Sequence, residues 1–299
     1  MPVAANTERE QQFTYYWYAA KQAFTAQNYT NALALFHFCN QINPTDATTC
    51  SYLGILYSAL NQKEQAKYYF QQAYQLEPTD NWFQYCTLVA DEKEALQVLE
   101  HVTTLNAKDD KALAKLRDLY IRDGQYKQAL QTQQQLDKLI GYDAYSALYY
   151  CRIHTLSGNY KKATQALDTY LEQDPTNLQF LLYKLEILER TYNNSRKAEK
   201  TLVDLYEQIL VLDPNNVYVL NNYAYHLAIT GQDLKRAERM SERAIREEPD
   251  EPSFLDTYGW ILHLQGQDNL ALFYLKRALQ YAEGKTLEVI KEHIKLIEQ

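Results

Sequence analysis

Apolar and polar positions follow a helical rather than a strand period along this chain. Between residues 47 and 80, Leu53, Gly54 and Tyr57 are followed by Ala66, Phe70 and Ala73, at helical spacing on two successive stretches. The break Leu60-Asn61-Gln62-Lys63 separates the two stretches. Gly54, Ala66 and Ala73 are small, as a close crossing of two antiparallel helices requires, and Tyr57 and Phe70 fill the space around that crossing. The pattern predicts a helical hairpin ending at Pro78.

The hairpin pattern recurs. Prolines at 44, 78, 175, 214 and 249 end look-alike segments, 34 residues apart from Pro44 to Pro78 and 35 from Pro214 to Pro249, while the interval from Pro78 to Pro175 divides into one step of 29 and two of 34. A period near 34 predicts a helical solenoid, in which each unit packs only on its neighbours. The expected fold is all-α: an N-terminal tail over residues 1–12, eight hairpins over 13–284 and a C-terminal capping helix over 285–299. The hairpin boundaries fall near 13–46, 47–80, 81–109, 110–143, 144–177, 178–216, 217–251 and 252–284.

Two units depart from the period. The third is five residues short, which predicts that its first helix, around Trp82 to Ala90, ends early before Asp91-Glu92-Lys93. The sixth is five residues long, with its excess expected at Thr191-Tyr192-Asn193-Asn194-Ser195, a polar, turn-rich linker. In the last segment Leu287, Ile290, Ile294 and Ile297 share one helical face, and Glu288, Lys291, Glu292, Lys295 and Glu298 supply the polar outer side that a terminal cap needs.

Leu53-Gly54, Tyr57, Ala66, Phe70, Ala73 and Pro78 together resemble the tetratricopeptide repeat, a helix-turn-helix unit of 34 residues. The spacing returns in the first unit as Ala20, Tyr29, Ala32, Phe36 and Pro44, and in the fourth as Tyr120, Gly124, Tyr126 and Ala129. Gly158, Tyr160, Ala163 and Pro175 carry it in the fifth, and Ala224, Leu227, Gly231, Ala237, Ala244 and Pro249 in the seventh. In the eighth it is Gly259, Leu262, Gly266, Ala271 and Ala278; in the sixth Leu202 stands where the family usually has Ala. The resemblance implies an α-solenoid coiled as a right-handed superhelix. Leu220-Asn221-Asn222-Tyr223-Ala224-Tyr225 and Asp256-Thr257-Tyr258-Gly259-Trp260 are similar to phrases of bacterial envelope and secretion-associated members.

Composition narrows the function. A net charge of −8 opposes binding to phosphate backbones or anionic lipid, so nucleic acid is not an expected partner. No apolar run approaches the roughly 18 residues of a membrane span. The six His, at 37, 101, 154, 226, 263 and 293, show no ligand-like spacing to Cys or acidic residues, and the chain lacks a phosphate-cradling Gly-rich loop, a Cys-x-x-Cys and a Gly-x-Ser-x-Gly. Accordingly no catalytic residue, metal or cofactor is assigned. Pro2-Val3-Ala4-Ala5 has the small-residue pattern that ends a secretory signal, and an ordinary ragged N-terminus explains it equally, so export to the periplasm and residence in the cytoplasm both stay open. Cys39 and Cys50 stand on either side of Pro44, at a separation that suits a disulfide across the turn; two small buried thiols are the alternative.

The family resemblance also implies a binding surface: the first helices of successive hairpins line a concave groove that receives an extended peptide or a partner helix. Carried onto this chain, that side includes Trp17, Tyr18, Lys21 and Phe24, then Tyr52, then Trp82 and Tyr85. Lys111, Lys115 and Arg122 follow, then Tyr145, Tyr149, Arg152 and Tyr183, and finally Asn221, Asn222, Tyr225, Trp260 and His263. The expected groove is aromatic with a basic middle, suited to a segment carrying apolar and acidic residues. The function expected is a non-enzymatic interaction scaffold for a protein or peptide segment, with a place in the bacterial cell envelope as its narrower form. Two alternatives remain: a saccharide-binding or glycan-synthesis module, against which Asp118, Glu186, Glu189 and Asp256 are spread over separate units, and a self-associating structural element.

Overall fold

A computed structural model describes residues 2–88, 90–192 and 195–299. Among the described residues there are seventeen α-helices and no strand. They pair as hairpins: α1 (Pro2–Thr25) with α2 (Tyr29–Ile42), α3 (Ala47–Ala59) with α4 (Lys63–Leu76), α5 (Pro78–Leu88) with α6 (Glu92–Leu105), and α7 (Asp110–Arg122) with α8 (Tyr126–Ile140). The order continues with α9 (Ala144–Leu156), α10 (Tyr160–Leu171), α11 (Leu178–Arg190), α12 (Arg196–Leu212), α13 (Val217–Ile229) and α14 (Leu234–Glu247). The last three are α15 (Pro252–Leu264), α16 (Asp268–Ala278) and α17 (Gly284–Ile297). The chain divides into two compact units, residues 1–163 and 164–299.

Short side chains set the helix boundaries. Asp46, Asp109, Asp143, Asn177 and Asn216 each stand at an N-cap, where a side-chain oxygen accepts from the backbone N–H three residues on and satisfies a donor the helix leaves open. The turn inside a hairpin needs a left-handed residue. Gly124 fills it in the fourth, and Asn61 does so in the second at φ 58°, a conformation its short amide tolerates.

The two irregular hairpins differ in detail from expectation. In the third, α4 and α5 are separated by Glu77 alone, where the preceding and following inter-hairpin loops run over residues 43–46 and 106–109. The five missing residues therefore come mostly from the loop, with only two from α5, which has 11 residues against 13 in α3 and α7. In the sixth, α12 has 17 residues against 14 in α14, so most of the excess is helix rather than linker. Leu202, Leu205, Tyr206 and Ile209 give that helix a buried face long enough to continue; Asn193 and Asn194 of the expected linker lie outside the described residues. The segment expected as a tail is also helical, since α1 starts at Pro2; Ala4, Ala5, Glu8, Gln11 and Gln12 are all strong helix formers.

Tyrosine builds much of both interiors. Tyr206 and Tyr223 stack with centroids 4.7 Å apart, and Tyr57 lies on Tyr69 at 5.5 Å. The Tyr57 and Tyr69 hydroxyls face His37, while others reach carboxylates: Tyr120 donates to Glu100 at 2.8 Å, Tyr150 to Asp137 at 2.6 Å, Tyr206 to Glu189 at 2.6 Å and Tyr223 to Glu207 at 2.7 Å. A ring fills volume while its hydroxyl keeps a partner at the edge of the core. Cys39 and Cys50 are free buried thiols rather than a disulfide; Cys50 Sγ is 3.7 Å from Asn40 Oδ1. Burial raises both, Cys39 to about 11, with Asp46 adding to the effect, as expected of thiols that pack rather than react.

Candidate functional site

In residues 164–299, the first helices α11, α13 and α15 bring their inner faces together, and α12 and α17 close the sides. They line an open cavity of about 470 Å³. Helix α11 contributes Glu189; α13 contributes Asn221, Asn222, Tyr225 and His226; α15 contributes Ser253, Asp256 and Thr257. Tyr206 of α12 lies beneath, and α17 sets Lys285, Thr286 and Val289 at the opening. The terminal helix is thus more than a polar cap, because its first turn forms one wall of the cavity.

Glu189 and Asp256, which lie 67 positions apart in sequence, line the same space. Tyr206 donates to Glu189 Oε1 at 2.6 Å, and Asn222 Nδ2 lies 3.2 and 3.3 Å from its two oxygens. Burial lifts the Glu189 carboxyl above the usual range even though these bonds act the other way. Asp256 is buried and faces His293, whose Nδ1 lies 2.7 Å from Oδ1. His293 stacks on Trp260 at 4.3 Å, which explains why Trp260 supports the site without lining it. Asn221 is 5% exposed; its Nδ2 points to Asn222 Oδ1 at 3.5 Å, while no hydrogen-bond donor among the described residues reaches its own Oδ1.

The other expected groove residues separate into exposed and internal ones. Tyr18 and Tyr145 are 65% and 73% exposed, and Lys21, Lys111, Arg152 and Tyr183 are also exposed. Lys21 stands 5.2 Å over the half-buried Trp17 ring. Arg122 is exposed and paired with Glu92, which offsets its charge; Lys115 is half-buried. Tyr52 stacks on Phe36 at 4.8 Å, a core contact. Trp82 is buried with Nε1 donating to Asp109 at 3.0 Å, and Tyr85 is buried with its hydroxyl on Glu94, so both rings hold hairpins together and offer no face to a ligand. Tyr149 packs under Arg117, whose guanidinium is 3.2 Å from the ring centroid.

Sequence reasoning placed Glu189 and Asp256 among carboxylates spread over separate units rather than in one site, and did not single out Arg117, which packs on Tyr149 outside the cavity. Arg117 is buried and bonds Gln133 and Asp118; nothing in its local pattern sets it apart from Lys115 or Arg122. For Glu189, Asn222 and Asp256 a usable signal existed: they sit on successive first helices, 33 and 34 positions apart, one repeat period each.

Among the described residues no helix is long and apolar enough to cross a membrane. Comparison with known proteins agrees with the repeat geometry. Residues 47–80 match the family model described as tetratricopeptide repeat. A TPR repeat-containing protein of Pseudomonas aeruginosa is 31% identical over 199 residues, covering 64% of this chain and 32% of that protein. The photosystem I assembly protein Ycf3 of Acaryochloris marina is 35% identical over 91 residues, covering 29% of this chain and 51% of that one. The chain thus spans about a third of the length of the first relative and about half of the second. The solved C-terminal part of a TPR repeat-containing protein from Cytophaga hutchinsonii superimposes with a TM-score of 0.60 at 13% identity, over 81% of this chain and 98% of that one, a likeness of fold.

Proposed function

Because the chain is a tetratricopeptide-repeat protein, built on a fold that serves generally as a protein-interaction scaffold, we propose that it docks a segment of a partner protein against the first helices of its hairpins, with the cavity between α11, α13 and α15 as the principal anchor. The observation that carries this reading is the convergence of Glu189, Asn221, Asn222, Tyr225 and Asp256, contributed by three successive first helices, around one concave space. A concave site with a few placed polar groups beside an aromatic ring is what fixes the register of a ligand. Exposed aromatics on first helices, Tyr183 on α11 itself and Tyr18 and Tyr145 on α1 and α9, support the reading, since large rigid rings bury area with few torsions to freeze. An envelope adaptor is its narrower form, supported by the resemblance of the seventh and eighth hairpins to envelope-associated repeats.

The test is a randomised peptide library panned against the whole chain, followed by titration of recovered peptides. Asn222→Ala and Tyr225→Ala should each weaken binding by about tenfold, and Phe273→Ala, on the exposed side of α16, should leave it unchanged. Failure to recover any peptide, or equal loss at Phe273, defeats the proposal. A saccharide is the second reading: Glu189 and Asp256, expected to be dispersed, share one site with two amides beside Tyr225. Titration with neutral oligosaccharides separates the two.

A further inference from the structure

The hydrogen bonds around the cavity leave one buried acceptor without a donor among the described residues. Asn222 directs its amide N–H to Glu189, so its Oδ1 faces Asn221 and takes the Asn221 N–H. This relay leaves Asn221 Oδ1 as a buried acceptor on the cavity wall with no donor among the described residues. An unmet buried acceptor is costly, and a ligand that supplies an N–H recovers that cost. Several donors in the lining are already used: Thr257 Oγ1 donates to Ser253 O at 3.0 Å, Ser253 Oγ to Glu251 at 2.7 Å, the Tyr192 hydroxyl to Glu199, and His226 Nε2 lies 3.0 Å from Glu199. Two carboxylates, Glu189 and Asp256, face the same space, and the one lysine of the lining, Lys285, is exposed at its rim.

We propose that the cavity takes a cationic, N–H-rich side chain of the docked segment, an arginine guanidinium or a lysine ammonium, held between Glu189 and Asp256 with Asn221 Oδ1 as a third acceptor and the Tyr225 ring as a wall. This rests on the peptide-docking reading and gives its anchor a chemistry opposite to that expected of a basic groove. Two carboxylates, Asp256 buried and Glu189 half-buried, with an open amide oxygen match a fork of N–H donors, and an aromatic wall favours a cation over a neutral group. Burial raises the Glu189 carboxyl, and an arriving cation removes part of that burden.

The experiment uses blocked glycine-flanked tripeptides with Arg, Lys, citrulline or Glu at the centre, titrated into the whole chain while NMR follows the Asn221 and Asn222 side-chain amides. The Arg and Lys peptides should saturate these signals, citrulline should bind about tenfold more weakly, and the Glu peptide should leave them unmoved. Glu189→Gln, Asp256→Asn and Asn221→Ala should each weaken the Arg peptide by about tenfold. Lys285→Glu, an exposed change that leaves the Glu189–Asn222–Asn221 relay intact, should tighten it, and it carries the test if a buried variant does not fold. Equal binding of arginine and citrulline, no response to Lys285→Glu, or stronger displacement of the amide signals by a neutral oligosaccharide overturns the proposal. Library peptides that bind the chain without Arg or Lys and ignore Glu189→Gln would sink this inference while leaving the scaffold reading standing; absence of all peptide binding sinks both.

Discussion

Gly54 of α3 lies so close to the ring of Phe70 on α4 that a Cβ at position 54 would stand 2.7 Å from Phe70 Cδ1. Phe70 is 1% exposed and its ring has no free end to swing aside. Alanine is the better helix former by about 1 kcal/mol, but forcing a methyl into a packed crossing costs about 1–3 kcal/mol. Gly54→Ala should therefore destabilise residues 1–163 on balance, read as a lower urea midpoint. A companion Phe70→Leu should recover part of the loss.

Arg117 is a buried cation held by Tyr149, Gln133 and Asp118. Lysine keeps the charge but loses the planar fork that bonds two partners and stacks on a ring. Arg117→Lys should lower stability by about 1–3 kcal/mol, measured by denaturant unfolding. An unchanged midpoint would show that the network adds nothing to the fold.

Cys39 and Cys50 are free, so alkylation in denaturant without reductant should label both, and labelling of the native chain should be slow because burial raises both thiols. Peptide mapping of the labelled sites reads the outcome. Recovery of a Cys39–Cys50 cross-linked peptide instead would contradict the packed-thiol arrangement.

Arg236 bonds Glu207, and chiefly through that bond holds its carboxyl below the ordinary 4.5, with Tyr223 assisting. A carboxyl lowered in the folded state contributes stability that is present above its unfolded value and lost as pH falls through the folded one. Glu207→Gln should accordingly cost stability at neutral pH and progressively less below about pH 4.5. Both partners are substantially exposed, so the neutral-pH effect should not exceed about 1 kcal/mol. Thermal melts of the variant and wild type between pH 3 and 7 provide the measurement.

Much of the fold was legible from local signals. Small residues at Gly54, Ala66 and Ala73 mark a helix crossing wherever they occur at that spacing, and Asp46 or Asn216 marks a helix start through its own side chain. Each hairpin packs on its sequence neighbours, so a pattern read along the chain is also a pattern of contacts. The extra length of α12 was not legible in the same way, since polar Thr191-Tyr192 and Ser195 suggest a linker and only the apolar face from Leu202 to Ile209 argues for continued helix.

The candidate site divides along the same line. Its residues from α13, Asn221, Asn222 and Tyr225, were readable because a first-helix position follows from the repeat register alone. Whether such a position is open to a ligand depends on what packs over it: Trp82 and Tyr145 both stand on first helices, yet one is sealed against Asp109 and the other stands in solvent. The sequence by itself determined the period, the helices and their pairing, because those rest on interactions within and between adjacent segments. Only the tertiary structure decided that Glu189 and Asp256 face one cavity, that α17 walls it, and that Asn221 Oδ1 meets no donor among the described residues, because those facts depend on side-chain directions summed over three hairpins.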